Sequence, residues 1–482
     1  MSEQILLQGK LLGTEEFLVS RSGSDEDFTA RALWIALISE VLPRALLAEL
    51  ELAPLLLGSS GGGQFLVVLP DTARAAADEF LAASLKQLAQ ATQNRVRAIW
   101  TFTENLGDWT VVRKRLNEQL DRERNTPLAR ERNFTPFDAA PSDGAFDLED
   151  ARQLRTTASA GWSPGLPAIV TAGHAKHNWN LTPNLSADGI TIARHSAPDA
   201  NAAEFAHRAQ GRPLWGVLRG DVDDFGVRLR RLQSIEEHVQ LSVMYKQFFA
   251  GELQVLCSLP EFWQNVSILY SGGDDFAVWG AWDALVLLAR EMQRIFQRFA
   301  EENLKDFPGA EAKTITMAIA ISNDLAQPLT EVYERAGGHL ALAKAADKDC
   351  IFLMDRILEW KQLSDAAELK DAVLQVSEEF RSGPQFLAEL RALYQKVSSS
   401  FEAHVDHERL LRRAYRFQRR YNRVAASSRR DREFQKLRAH LINEIVGRNV
   451  KPAAGKRVRI RPAGVVALEW ARLSQTKQGQ TK

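Results

Sequence analysis

Cysteine is nearly absent. Cys257 and Cys350 are the only two in 482 residues, which excludes a disulfide framework and a cysteine-based zinc site and suits a reducing compartment. No run of about 18 apolar residues occurs, so no membrane-spanning helix is expected. The opening Met1-Ser2-Glu3-Gln4 lacks a basic stretch followed by an apolar one, so no secretory leader is expected and the cytoplasm is the expected location. There is no GxxxxGK[ST] loop, which leaves a P-loop ATPase unsupported. Net charge is also missing: 61 Lys+Arg face 61 Asp+Glu. That balance conceals an asymmetry, because residues 401–482 carry 21 basic against 7 acidic side chains and residues 1–400 carry 40 against 54. A basic tail of this kind points to a polyanionic or acidic partner, or to a helical domain with one solvated basic face.

What is present has the composition of an ordinary globular protein, 45% hydrophobic and 25% charged, and the length suggests about three domains. Residues 4–8 read as a strand and 28–50, dense in Ala and Leu, as a helix. Leu55–Leu57 and Phe65–Leu69 flank a Ser-Gly turn and read as a hairpin. A helix to about Ala91, a strand at Arg95–Phe102 and a helix at 108–125 complete a β-α-β-β-α-β-α order, which suggests a ferredoxin-like layer. Residues 126–212, with scattered proline, read as a linker or insert. The pattern then resumes: strand Leu214–Leu218, a long helical stretch over 227–258, a hairpin around Ser271–Asp275, a helix at 282–304, a strand at Thr314–Ile321 and a helix at 328–346. From about 357 the chain reads as helical, with one further strand signal at Val458–Ile460. The fold class is therefore α+β, divided as 1–125, 126–212, 213–360 and 361–482.

The two β-α-β-β stretches superpose at one offset. Adding 211 to Gly9, Ser60, Gly61, Gly62 and Phe65 gives Gly220, Ser271, Gly272, Gly273 and Phe276. Duplication of one supersecondary unit is the expected cause. The copies are chemically unequal. Asp221, Asp223, Asp274 and Asp275 in the second copy stand where the first has Lys10, Leu12, Gly63 and Gln64, so one copy is expected to be catalytic and the other structural.

Asp221 and Asp223 are i, i+2 at the end of a strand, so they share a face. Asp274 and Asp275 end a hairpin turn whose paired glycines, Gly272 and Gly273, allow positive φ and let a ligand approach the backbone closely. If the first strand lies beside this hairpin, three or four carboxylates gather within a few ångströms, an arrangement that repels itself unless cations intervene. Oxygen ligands suit Mg²⁺ or Mn²⁺, and two such ions can activate a hydroxyl and stabilise in-line displacement at a phosphate. Nucleotidyl transfer is the chemistry implied.

At these residues the sequence resembles a known family. LWGVLRGDVDDFG at 214–226 with YSGGDDF at 270–276 is similar to the large Palm-domain subunit of type III CRISPR effector complexes, itself related to GGDEF-type diguanylate cyclases. SSGGGQFLVVLPDT at 59–72 and TITMAIAIS at 314–322 resemble the family's first, degenerate Palm copy and the close of its second. The resemblance covers roughly residues 1–360, and the C-terminus is similar only in being helical and basic. It implies two Palm domains joined by an irregular insert, with a helical C-terminal domain. It also implies synthesis of cyclic oligoadenylates from ATP when the RNA-guided complex binds a target transcript. Asp274 and Asp275 would be catalytic. Asp221, Asp274, Asp275 and more weakly Asp223 would hold two Mg²⁺ or Mn²⁺ ions, while Ser271, Gly272, Gly273 and Lys344 would meet the nucleotide. The implied partners are CRISPR RNA and target RNA through other subunits, a guide-handle-binding subunit and small helical subunits, with no membrane.

The sequence departs from the family in two places. No His-Asp dipeptide occurs and the chain starts directly in the first Palm copy, so no HD-type DNase activity is expected. The insert lacks the paired CxxC motifs of many relatives and holds His174, His177 and His195 instead. No RxxD motif precedes the hairpin, where Trp263–Val266 stands, which disfavours a diguanylate cyclase. The alternating arginines and aromatics at Arg412–Tyr421 could meet RNA, though at helical spacing half of the run packs inward. Two other readings stay open: a silent scaffold of the same complex, and a stand-alone GGDEF-like cyclase.

Overall fold

The structure is a computed structural model. It describes residues 4–19, 23–125, 148–165, 169–184, 186, 189–307, 309–379, 432, 435–436 and 462–475. The Arg412–Tyr421 run and the strand expected at Val458–Ile460 lie outside the described residues. No described helix is long and apolar enough to cross a membrane.

The first unit runs β1 (Gln4–Leu12), α1 (Thr14–Val19), α2 (Asp25–Glu49), β2 (Leu57–Gly61), β3 (Gln64–Pro70), α3 (Arg74–Ala91), β4 (Arg97–Glu104) and α4 (Trp109–Asn125). Its sheet has the order β2-β3-β1-β4 and is antiparallel throughout, the ferredoxin-like arrangement. The second unit repeats it. It comprises β8 (Trp215–Val222), α7 (Phe225–Arg231), α8 (Ile235–Gln247), α9 (Leu253–Cys257), β9 (Val266–Ser271), β10 (Asp275–Ala281), α10 (Trp282–Asn303), β11 (Ile315–Ile321) and α11 (Leu329–Ala346), then β12 (Cys350–Leu353) and β13 (Arg356–Glu359). The order β9-β10-β8-β11 reproduces that of the first sheet, and β12, parallel to β11, and β13 extend its edge.

One packing contact explains why the repeat survives in the sequence. Gly9 faces Phe65 and Gly220 faces Phe276 across their sheets. A Cβ on Gly9 would stand 2.1 Å from the Phe65 ring, and one on Gly220 would stand 2.4 Å from the Phe276 ring. Each ring occupies the space that a side chain on its glycine would take, so both positions exclude one.

Helix α2 is buried on nearly every face from Phe28 to Leu47, as a helix hydrophobic all round must be. It opens with a capping box in which the Ser24 Oγ accepts from the Asp27 N–H and the Asp27 carboxylate accepts from the Ser24 N–H. Its neighbours include β2, β9 and the segment expected to be a linker. That segment needs correction. Residues 148–208 form α5 (Leu148–Gln153), a three-stranded sheet of β5 (Ser159–Trp162), β6 (His177–Thr182) and β7 (Gly189–Thr191), and α6 (Ala202–Arg208). The Trp34 indole on α2 donates to the Val170 carbonyl at 3.2 Å, and Arg152 pairs with Asp27 at 2.5 Å. The insert is thus a folded unit clamped on α2.

The helix expected over 227–258 is also broken. It comprises α7, α8, one π-helical turn at Phe248–Glu252 and α9. That π-turn carries Phe248 and Phe249 into an aromatic core with Tyr245, Phe276, Phe296 and Phe299. Across from it α10 buries Leu285, Ala289, Met292, Phe296 and Ala300 at helical spacing. Beyond the second sheet, α12 (Trp360–Glu379) packs on α13 (Pro462–Ser474), where the Lys370 ammonium lies 4.9 Å from the Trp470 ring centre.

Candidate active site

Asp275, the first residue of β10, stands directly opposite Asp221 on β8, a pairing that brings Cβ atoms to about 4.5–5.5 Å. Asp274 precedes it at the turn, and its carbonyl accepts from the Val222 N–H at 2.9 Å. The same register in the first unit sets Lys10 opposite Gln64, so the acidic pair belongs to one copy alone.

Electrostatics at the three carboxylates is governed by burial and mutual repulsion. All three are only partly exposed. Burial raises the Asp274 carboxyl far above the carboxylate range, and the charges of Asp275 and Asp221 push it further. Asp275 is raised by burial and Asp221, against the opposing pull of Arg219 and the Tyr270 hydroxyl. Burial raises Asp221 too, partly offset by Lys344. The Lys344 ammonium pairs with the Asp221 carboxylate and also donates to the Val222 carbonyl at 3.3 Å. The group expected to touch phosphate is therefore paired with one of the acidic residues.

The geometry bears on three expectations. Asp223, the weaker candidate for the metals, has both oxygens engaged within the fold. One of its oxygens accepts from the Thr316 hydroxyl at 2.7 Å; the other accepts from the Thr314 hydroxyl at 2.8 Å and the Asp349 N–H at 3.0 Å. It is 3% exposed. The chain turns at Asp223 and its amide bonds Thr314, so the strand-face rule that grouped it with Asp221 ends one residue too early. The paired glycines are not in the left-handed region; that conformation falls on Gly61, Gly62 and Gly63 in the other copy and on Asp224. Gly272 is required for a different reason, since a Cβ there would meet the Asp275 carboxylate at 2.1 Å, whereas Gly273 opens onto free space. Finally, Asp221, Asp274 and Asp275 act on one another's charge without forming a closed ligand cage. Among the described residues no three His, Cys, Asp or Glu side chains come close enough to hold a metal alone. Ser271, expected at the nucleotide, accepts from the Ala193 N–H of the insert at 3.3 Å. The insert histidines are engaged separately, His177 with Glu49 at 2.7 Å and His195 with the Trp263 carbonyl at 3.0 Å.

Sequence reasoning missed the wall facing these carboxylates. The Ser60–Gly62 tip of the first unit meets the second unit's turn, so that a Cβ on Gly62 would lie 3.4 Å from the Gly273 nitrogen and 3.8 Å from an Asp274 oxygen. A cleft of about 510 Å³ opens there. Gly273 and Asp274 line one side, and Lys10, Arg113, Arg230 and His238 are among the others that line it. Burial and the charge of Arg230 push the Arg113 guanidinium down to about 10, and burial with Arg113 pushes His238 down to about 4. Two cations of like sign, one with a buried nitrogen lacking a hydrogen-bond partner in Arg113 Nη1, make a wall suited to anions. No local pattern marks it, because Arg113 lies on α4 and Arg230 on α7.

Behind Asp275 lies a second contact between the units. The Tyr270 hydroxyl donates to Asp275 at 3.2 Å. Arg219 donates to Tyr270 at 3.4 Å and to Glu15 of α1 at 2.7 Å, with its guanidinium 4.3 Å from the Tyr333 ring centre.

Residues 214–352 match the family model for Cas10/Cmr2, second palm domain. The single-strand-specific deoxyribonuclease Cas10/Csm1 (subtype III-A) of Enterococcus italicus is 27% identical over 183 residues, covering 36% of this chain and 22% of that protein. Its namesake from Methanocaldococcus jannaschii is 33% identical over 110 residues, covering 20% and 14%. The matches thus span about a fifth or less of those relatives' own length. Among solved structures, the apo Csm1-Csm4 cassette aligns at a TM-score of 0.74 and 16% identity over 98% of this chain and 70% of that one. Csm1 of T. onnurineus aligns at 0.70 and 15%, with the same coverage. A Csm1-Csm4 cassette in complex with AMPPNP aligns at 0.65 over 86% of this chain and 64% of that one, and one in complex with cA4 aligns at 0.71. These last likenesses establish the fold. The stretch that carries the Asp221–Asp275 pair is thus the part of this chain that matches the Cas10/Cmr2 second palm domain.

Proposed function

We propose that this chain joins ATP into cyclic oligoadenylates by nucleotidyl transfer, as the large subunit of an RNA-guided effector complex activated by target RNA. The observation that carries the reading is the Asp221–Asp275 cross-strand pair, with Asp274 beside it, at the edge of a cleft whose opposite wall is cationic. The donor set fits Mg²⁺ or Mn²⁺. It is all oxygen and its charges repel one another, and Mg²⁺ commonly takes one or two carboxylates with substrate phosphates supplying the remaining ligands. Bound at Asp221, Asp274 and Asp275, two such ions would activate an attacking ribose hydroxyl and neutralise charge at the α-phosphate.

The chain's own residues do the rest. Gly273 leaves room at the turn for a nucleotide to approach the backbone. Tyr270 and Arg219 pull Asp275 toward its charged form, against burial and the charge of Asp221. Lys344, paired with Asp221, would place its ammonium near phosphates bound at this edge. Arg113 and Arg230 hold the anionic tail on the far wall. Solved relatives whose Csm1-Csm4 cassettes are in complex with AMPPNP and cA4 support this choice of substrate and product class. Their Csm4 supports a partner subunit docked on this chain, and the interference complex supports further subunits.

The test is ATP turnover by the assembled complex with guide RNA, target RNA and Mg²⁺. Wild type is expected to convert ATP to cyclic oligoadenylates, and Asp274→Ala/Asp275→Ala to make none while still binding guide RNA. Equal turnover by both sinks the site; turnover by neither favours a scaffold role.

A further inference from the structure

The two units are joined at the cleft by an ion cluster that the chemistry above does not use. Glu40 on α2 is 3% exposed. Its carboxylate accepts from the Lys246 ammonium on α8 at 2.5 Å, from Arg44 at 2.8 Å and from the Ser60 hydroxyl at 2.8 Å. Lys246 in turn donates to the Ser60 carbonyl at 3.3 Å and the Ser60 hydroxyl at 3.2 Å. Glu40, Arg44 and Ser60 belong to the first unit, and Lys246 comes from the second, 206 residues from Glu40. A buried cluster of this kind is a poor source of stability, since desolvating its charges costs about as much as their attraction returns. It is effective at fixing one arrangement.

The arrangement it fixes is the approach of the two hairpins. Ser60 begins the tip whose Gly61 and Gly62 sit against the Gly273 nitrogen and the Asp274 carboxylate. Three donors on one ammonium, two of them spent on a single residue of the tip, set how far that tip stands from the catalytic turn. Two cations share one carboxylate, so the cluster also holds an excess positive charge directly behind the tip.

Resting on the nucleotidyl transfer proposed above, we infer that Lys246 is a positioning residue that braces the first unit's Ser60–Gly62 tip against the catalytic turn and so sets the gap across which two nucleotides react. It touches no substrate; it acts through Ser60.

Lys246→Met tests this without orphaning a buried charge, because Arg44 remains on Glu40. In the assembled complex with target RNA, turnover of ATP to oligoadenylate is expected to fall by about tenfold to a hundredfold, the scale at which small misplacements act. Affinity for Mg²⁺-AMPPNP is expected to stay within about threefold of wild type, so that the loss lies in kcat and not in binding. Lys246→Arg, which can still reach both Glu40 and Ser60, is expected to recover most of the loss. Lys246→Gln, which keeps one donor for the Ser60 carbonyl, should fall between and decides the question if the Met variant does not fold. Wild-type turnover in Lys246→Met overturns the brace and leaves the Asp274–Asp275 assignment standing. Parallel loss of turnover, analogue binding and melting temperature in all three variants also overturns it, as a merely structural role. A wild-type complex that makes no oligoadenylate sinks brace and proposed function together, a result Lys246→Met alone cannot produce.

Discussion

Replacing Asp223 by Asn separates structure from chemistry at this site. Its two oxygens accept three hydrogen bonds, from the hydroxyls of Thr314 and Thr316 and from the Asp349 N–H. In the Asn variant the amide oxygen can take the place that serves Thr314 and the Asp349 N–H, and the Thr316 hydroxyl can turn to accept from the new NH₂ group. Every bond then keeps a partner, but three bonds to a charged acceptor become bonds to a neutral amide inside a residue that is 3% exposed, a cost of about 1–2 kcal/mol. For a unit of this size that lowers the melting midpoint by roughly 2–8 °C. The assay is thermal unfolding of the purified chain beside ATP turnover of the assembled complex at a temperature well below either midpoint. Asp223→Asn is expected to lose stability and keep most of its turnover. Asp221→Asn, which removes a charge repelling Asp275 but strips Lys344 of its partner, is expected to lose turnover with little change in midpoint. If Asp223→Asn instead melts like wild type and makes no product, Asp223 binds metal and the reasoning from its hydrogen bonds is wrong.

Two further outcomes follow from packing. Gly220→Ala drives a methyl group to 2.4 Å from the fully buried Phe276 ring; overpacking of this kind costs about 1–3 kcal/mol, measurable by denaturant unfolding, and an unchanged midpoint would mean the ring is free to move. Cys257 and Cys350 are free and buried, and burial raises both thiols, Cys350 to about 12. Neither should react with a disulfide reagent at pH 8 in the native protein, and both should react after unfolding; fast native labelling would contradict the packing.

The duplicated frame was legible in the sequence because its requirements are local. A glycine under a phenylalanine ring and a short turn between two strands recur at one offset in both copies, and the acidic residues stand out against Lys10 and Gln64. The insert was not legible. Its strands are four, six and three residues long, too short for alternation to emerge among its prolines and serines. The π-helical turn at Phe248–Glu252 carries no signature either, since its sequence suits an α-helix. Asp223 was grouped with Asp221 by a strand periodicity that ends at Val222, the strand's last residue. The remaining features are contacts between distant segments. Glu40 with Lys246, Glu15 with Arg219, and Arg113 near Arg230 each join elements whose sequences say nothing of one another.

The match in register between Lys10–Gln64 and Asp221–Asp275 has a consequence for how the cleft can be used. Two identical walls related by duplication would receive two ligands alike and give a bound chain no reason to lie one way round. Here the Asp221–Asp275 edge must recruit positive charge before a phosphate can rest on it, while Lys10 and Arg113 from the first unit and Arg230 from the second already bring such charge to the cleft. The inequality of the two copies therefore gives the cleft a polarity, with a distinguishable head and tail for whatever is threaded between its halves.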